Sequence, residues 1–182
     1  MLTRRRALVL AAAALAPLPG AAHAASAGEI DAKVDIALNT LLAQSPAAQA
    51  LAERAVAILV FPDVVKAGLG FGGQYGQGAL RRGDATVGYY NLTSASFGLQ
   101  IGAQSFAETY FFMTEEALGY LTRSQGWEVG ADAKVAVADQ GYSADATSTT
   151  VTQPIVVFVS GQKGLMAGAV VEGSKISRIH PK

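Results

Sequence analysis

The sequence predicts an α+β fold in which N-terminal helices pack on a glycine-rich, largely antiparallel β-sheet free to curl toward a barrel. Three observations carry this. Helical spacing of apolar residues is confined to the front of the chain and one short later segment. From about residue 55 onward the pattern switches to alternation broken by short turns. One face of the alternating stretch Gly68 to Gly78 is mostly glycine, and one face of Phe97 to Ser105 is glycine and glutamine.

Before the domain comes a segment of a different kind. Met1-Leu2-Thr3-Arg4-Arg5-Arg6 is followed by an uncharged run from Ala7 to Ala16, then by Pro17, Pro19 and Gly20. Ala22-His23-Ala24 has the small-x-small pattern a signal peptidase accepts, so residues 1–24 read as a cleavable export signal and 25–182 as a single domain. The apolar run is shorter than the roughly 20 residues a membrane-spanning helix needs. Thr3-Arg4-Arg5 also fits a twin-arginine signal, although Ala7 stands where an aromatic is usual, and both export routes remain open. The expected location is the periplasm, soluble or peripherally bound to the membrane. Without cysteine the chain has neither disulfide staples nor a lipidated N-terminal cysteine.

Three of the 14 basic residues lie in the signal and none of the 14 acidic ones, so the mature domain is net acidic by three. That balance argues against a bulk electrostatic nucleic-acid binder and leaves room for a local basic patch.

Along the domain, Ile30, Val34, Leu38, Leu41 and Leu42 form an apolar stripe over Glu29 to Leu42, an amphipathic helix. Ser45-Pro46 supplies an N-cap and first-turn proline for a shorter helix over Ala47 to Arg54. Ala55 to Phe61 reads as a buried strand ended by Pro62-Asp63. The glycine strand then places Leu69, Phe71, Tyr75 and Ala79 on one face and mostly glycine on the other, which permits close approach of backbone or ligand.

Arg81-Arg82-Gly83-Asp84 predicts a turn, and strands follow over Ala85 to Leu92, Phe97 to Ser105 and Glu108 to Met113, with Thr93 to Ser96 as a break. Thr114-Glu115-Glu116 caps a helix reaching Thr122 or Arg123. Trp127 to Ala138 alternates as a strand with Asp132 and Lys134 on its wet face. Asp139 to Gln153 reads as a polar loop or edge hairpin. Ile155 to Val159 is apolar on both faces and therefore central, Leu165 to Val171 extends again, and a last strand lies near Ile176 and Ile179.

Few residues invite catalysis. Gly68-Leu69-Gly70-Phe71-Gly72-Gly73 satisfies G-x-G-x-x-G, but no helix-forming sequence follows to aim its N-terminus at a phosphate. His23 leaves with the signal and His180 sits near the end, so histidine-dependent hydrolysis and metal sites are not expected. Glu115 and Glu116 suit a helix first turn, and Asp132, Asp139, Asp145 and Glu172 are scattered over wet faces and turns. No catalytic residue, metal or cofactor is therefore assigned. Lys66, Arg81, Arg82 and Lys163 are either solvated turn charges or a set of which two or three converge on an anionic headgroup. Tyr75, Tyr89, Tyr90, Tyr110 and Trp127 suit either a membrane-facing rim or the interior.

Phe61-Pro62-Asp63-Val64-Val65-Lys66-Ala67-Gly68 within Ala55 to Gly68, the continuation to Gly78, Phe97 to Gln104, Val129 to Val137 and Gly161 to Ser174 together resemble the SYLF domain family. That family occurs in bacterial exported proteins and in eukaryotic membrane and actin-cytoskeleton adaptors. The resemblance implies non-enzymatic binding of anionic membrane phospholipid in the bacterial cell envelope, with Lys66, Arg81, Arg82 and Lys163 as the residues to test. The alternative it leaves open is a structural or protein-interaction module with an envelope protein as partner. Actin binding follows only by family analogy, because the adaptor modules of the eukaryotic relatives are missing.

Overall fold

Ser26 opens the first helix, α1 (Ala27–Gln44), through a reciprocal cap: its Oγ accepts from the Glu29 amide at 3.3 Å and its own amide donates to Glu29 Oε2 at 2.8 Å. The computed structural model describes residues 25–123, 126–129, 135–138, 153–161 and 173–182. The export signal predicted over residues 1–24 lies outside them, as do Asp132, Lys134, Lys163 and the segment from Leu165 to Val171. Ser45 ends α1 and caps α2 (Pro46–Ala52), accepting from the Ala48 amide at 3.2 Å with Pro46 in the first turn, as the sequence predicts.

Two strands of unusual length form the body, β1 (Ala57–Arg82) and β2 (Ala85–Phe112), antiparallel and joined by a tight turn at Gly83, whose φ is +59°. This corrects the shorter strands expected from sequence. Pro62-Asp63 does not end β1, because a register shift there sets both residues against Ala107 alone: Phe61 faces Glu108 and Val64 faces Phe106. Such a bulge lifts the proline out of the hydrogen-bond ladder it cannot serve. Thr93 to Ser96 likewise stays within β2, paired with Gly72 to Tyr75. A continuous partner strand keeps a polar stretch extended that reads as a break in isolation.

β1 also curls back on itself. A Cβ built on Gly78 would stand 2.1 Å from the Val60 carbonyl oxygen and 2.7 Å from Phe61 Cδ1. Only glycine lets two stretches of one strand approach this closely. Gly76 repeats the contact less tightly, 3.0 Å from Val64 Cγ2.

With β1 along one edge of β2, the other edge carries β5 (Ile155–Ser160) at residues 107–112 and β6 (Lys175–Ile179) at residues 89–93. Short β3 (Trp127–Glu128) pairs with β6, while β4 (Val135–Ala138) runs parallel to β5. The sequence reads 127–138 as one strand. The structure instead places Val129 in a turn and pairs the two described pieces with different strands. Among the described residues the result is a curled, largely antiparallel six-stranded sheet in the order β3-β6-β2-β5-β4, with β1 beside β2.

Packed cores lie on both faces of this sheet. Outside, Leu41, Ala48 and Leu51 pack on Phe111, Val156 and Phe158, and Ile30 and Val34 on Val60 and Ala79. Inside, Phe61, Tyr110, Phe112, Trp127, Val157 and Ile176 meet Leu118 and Leu121 of α3 (Glu115–Arg123). Tyr90, Tyr110 and Trp127 are therefore interior residues, whereas Tyr75 is exposed. β5 alternates between these two cores, which is why it reads as apolar on both faces.

Candidate binding surface beside helix α1

Arg81, next to last in β1, faces α1 and is only 13% exposed, with Nη2 2.5 Å from Asp35 Oδ1 and 3.6 Å from Asp31 Oδ1. Asp31 also accepts from Thr86 Oγ1 and from the Tyr89 hydroxyl, each at 2.8 Å. Burial, and then the Asp31 hydrogen bond, hold the Tyr89 phenol above its ordinary pKa. These contacts pin α1 to the β1–β2 hairpin. They also surround Arg81 with two carboxylates, so the local field is not positive.

The neighbouring Arg82 points to the other face and pairs with Glu115 at the start of α3. Lys66 stands elsewhere on β1, opposite Gln104 and beside exposed Val65. Lys163 lies outside the described residues. Of the four basic residues singled out in the sequence, the three described ones each have different surroundings. Asp31 and Asp35 were legible only as the polar side of α1, though their four-residue spacing places them on one helix face.

A concavity lies on the same side of the sheet. Where the bulge at Pro62-Asp63 interrupts β1, a groove of about 550 Å³ runs between α1 and the strands, lined by Ile36 and Thr40, by Asp63, by Ser105 and Ala107, and by Ser160. The Ser105 hydroxyl donates to Asp63 across its floor. Lys33 and Asp63 also border a smaller hollow of about 180 Å³ that contains Val65 and Tyr75. Ile36 is 68% exposed, and with Val65 and Tyr75 it makes three large apolar side chains standing in solvent around the two depressions. Lone exposed apolar residues are ordinary, whereas several bordering adjoining concavities are a feature of binding surfaces.

Among the described residues no group of three or more His, Asp or Glu side chains is placed to hold a metal ion. No helix among them is long and apolar enough to cross a membrane. One carboxyl was missed in the sequence. Glu108 is fully buried on the inner face of β2, where Tyr110 donates to its Oε2 at 2.5 Å and its Oε1 has no partner. Burial raises its pKa to about 7, against a smaller lowering by the Tyr110 hydrogen bond. The signal was the alternation Phe106, Glu108, Tyr110, Phe112, which sets the acid in an aromatic row.

A curled α+β sheet with a helix-flanked groove and neutralised arginines defines a small domain built around a concave surface. Residues 93–180, a little under half of the chain, match the family described as Ysc84: Las17-binding protein actin regulator, in agreement with the SYLF resemblance of the sequence. The match begins inside β2 and includes α3 and β3 to β6, while α1, α2 and β1 precede it. No match was found among curated proteins.

Proposed function

We propose that this domain acts by binding rather than catalysis, as a protein-interaction module whose contact surface is the groove between α1 and the β1 bulge. The observation that carries the reading is the exposed Ile36 at the edge of a groove that also presents Asp63, Ser105 and Ser160. Apolar anchors rimmed by hydrogen-bonding groups of both signs suit a protein segment better than an anionic headgroup. The family's description as a Las17-binding actin regulator supports a protein partner in kind. Export to the periplasm, read from residues 1–24, makes an envelope protein the proposed partner rather than actin. Photo-crosslinking from position 36 tests this: a discrete protein adduct supports it, and an adduct with phospholipid alone counts against it.

A second reading, binding of anionic phospholipid, is favoured by Lys33, which borders the groove at exposed Ile36 and the hollow at exposed Val65 and Tyr75. Apolar side chains flanked by lysines suit a negatively charged membrane surface. On this reading Lys66 and Lys163 remain the residues to test, while Arg81 and Arg82 are already engaged by carboxylates. Co-sedimentation with phosphatidylglycerol or cardiolipin vesicles at low salt separates the two readings, since only the second expects Lys66→Glu to abolish binding.

A further inference from the structure

The sheet is built with a carboxyl where a hydrophobic side chain would be expected, between the β1 bulge and the end of β5. Glu108 lies directly opposite Phe61 of β1 and Val159 of β5, and all three side chains are buried. On its own strand it is flanked by Phe106 and Tyr110. The Tyr110 ring is boxed edge-on by Phe61 at 6.0 Å and by Trp127 at 5.9 Å. Of its two oxygens only Oε2 has a partner. A neutral carboxylic acid tolerates such a setting, whereas a carboxylate there loses its hydration without gaining a counter-charge.

No cation faces it among the described residues. From β1 it meets Phe61, from β5 Val159, and α3 and β6 contribute Leu118, Leu121 and Ile176 to the same interior. Tyr110 and Tyr90 are the other titratable groups of that interior, both acids whose burial raises their pKa values. Lys66 follows Val64 along β1, with the Val64–Phe106 pair standing between it and Glu108.

The way out for an ionised side chain is short. The β1 bulge begins one residue past Phe61, and β5 ends one residue past Val159, at Ser160 and then Gly161 with its φ of +89°. Those boundary residues also line the groove beside α1: Pro62 and Asp63 from β1, Ser160 and Gly161 from β5.

We propose that Glu108 is a proton-operated latch of the curled sheet: protonated, it closes the interior between β1 and β5, and on ionisation it loosens the β1 bulge and the end of β5. The latch concerns the floor of the α1 groove and holds whatever partner, protein or lipid, the groove takes. Its readout is therefore independent of any binding assay.

The test is hydrogen exchange of the full mature domain, corrected for intrinsic rates, across about pH 5.5 to 8. For a carboxyl raised from its ordinary value to about 7, linkage gives an expected loss of protection of roughly 25-fold over that range in residues 58–64 and 155–160. Glu108→Gln, which keeps the shape and the hydrogen-bonding capacity but cannot ionise, is expected to show no such loss. Equal pH dependence in wild type and Glu108→Gln, or unchanged protection in the wild type, overturns the proposal. Should Glu108→Gln fail to fold, a carbon-13 titration of the Glu108 carboxyl in the wild type decides. A midpoint near 7 accompanied by the loss of protection upholds the latch, and a midpoint in the ordinary carboxylate range overturns it.

Discussion

Arg81 reaches Asp35 across 2.5 Å, joining the last turn of the long hairpin to the first half of α1. Two carboxylates share this guanidinium, and they are not equivalent. Asp35 is 59% exposed and its pairing is screened by water, so Asp35→Ala is expected to cost under about 1 kcal/mol. Asp31 is 31% exposed and accepts from Thr86 and Tyr89 besides facing Arg81. Asp31→Ala should therefore cost more, about 1.5–3 kcal/mol. Urea denaturation of the two variants checks the order, and a larger loss for Asp35→Ala would show that α1 is held in another way.

Gly78 gives a sharper expectation about the fold. Its missing side chain is what lets β1 cross itself at Val60, and the atom a Cβ would strike is backbone. Gly78→Ala is expected to destabilise the domain by at least about 3 kcal/mol or prevent folding. Gly28→Ala is the control: it lies in α1 with nothing within 4 Å of the new Cβ, and should stabilise by about 0.5–1 kcal/mol. Thermal melts of both variants suffice, and a well-folded Gly78→Ala protein would rule out the self-crossing strand.

The stability of the domain should fall as pH rises through neutrality. Glu108 has a raised pKa in the folded state, so the native protein holds its proton longer than the unfolded chain does. Its contribution is fully present below about pH 4.5 and is lost as pH rises through about 7, on the order of 3 kcal/mol in all. Tyr110→Phe removes the hydrogen bond that favours the charged form. In that variant the Glu108 titration should move further up, which carbon-13 NMR reads directly; a downward movement would contradict the geometry.

Much of the architecture was legible where the deciding forces are local. Ser45-Pro46 caps α2, Thr114 accepts from the Ala117 amide at 3.1 Å to start α3, and Ile155 to Val159 is a strand buried on both faces. What escaped the sequence depends on partners far along the chain. Pro62 looks like a strand end until Ala107 is set opposite its bulge, and Thr93 to Ser96 looks like a break until Gly72 to Tyr75 pairs with it. The basic residues illustrate the same limit. Arg81 reads as a free turn charge because Asp35 precedes it by 46 positions, and only the packing of α1 brings them together. Glu108 escaped because a single acid within an apolar alternation resembles any other strand residue.

The groove reading separates binding from stability at one position. Because the Ile36 side chain stands largely in solvent, Ile36→Asp should change stability by no more than about 0.5 kcal/mol. A large loss of stability would mean that Ile36 serves the core instead of a partner.

The most direct measurement is photo-crosslinking in the producing cells with benzoylphenylalanine at position 36, adducts being identified by mass spectrometry and Arg123 serving as the control position. The expected result is a discrete protein adduct from position 36 that is missing from position 123. Phospholipid adducts alone from position 36, or the same adducts from both positions, would contradict a protein-binding groove beside α1.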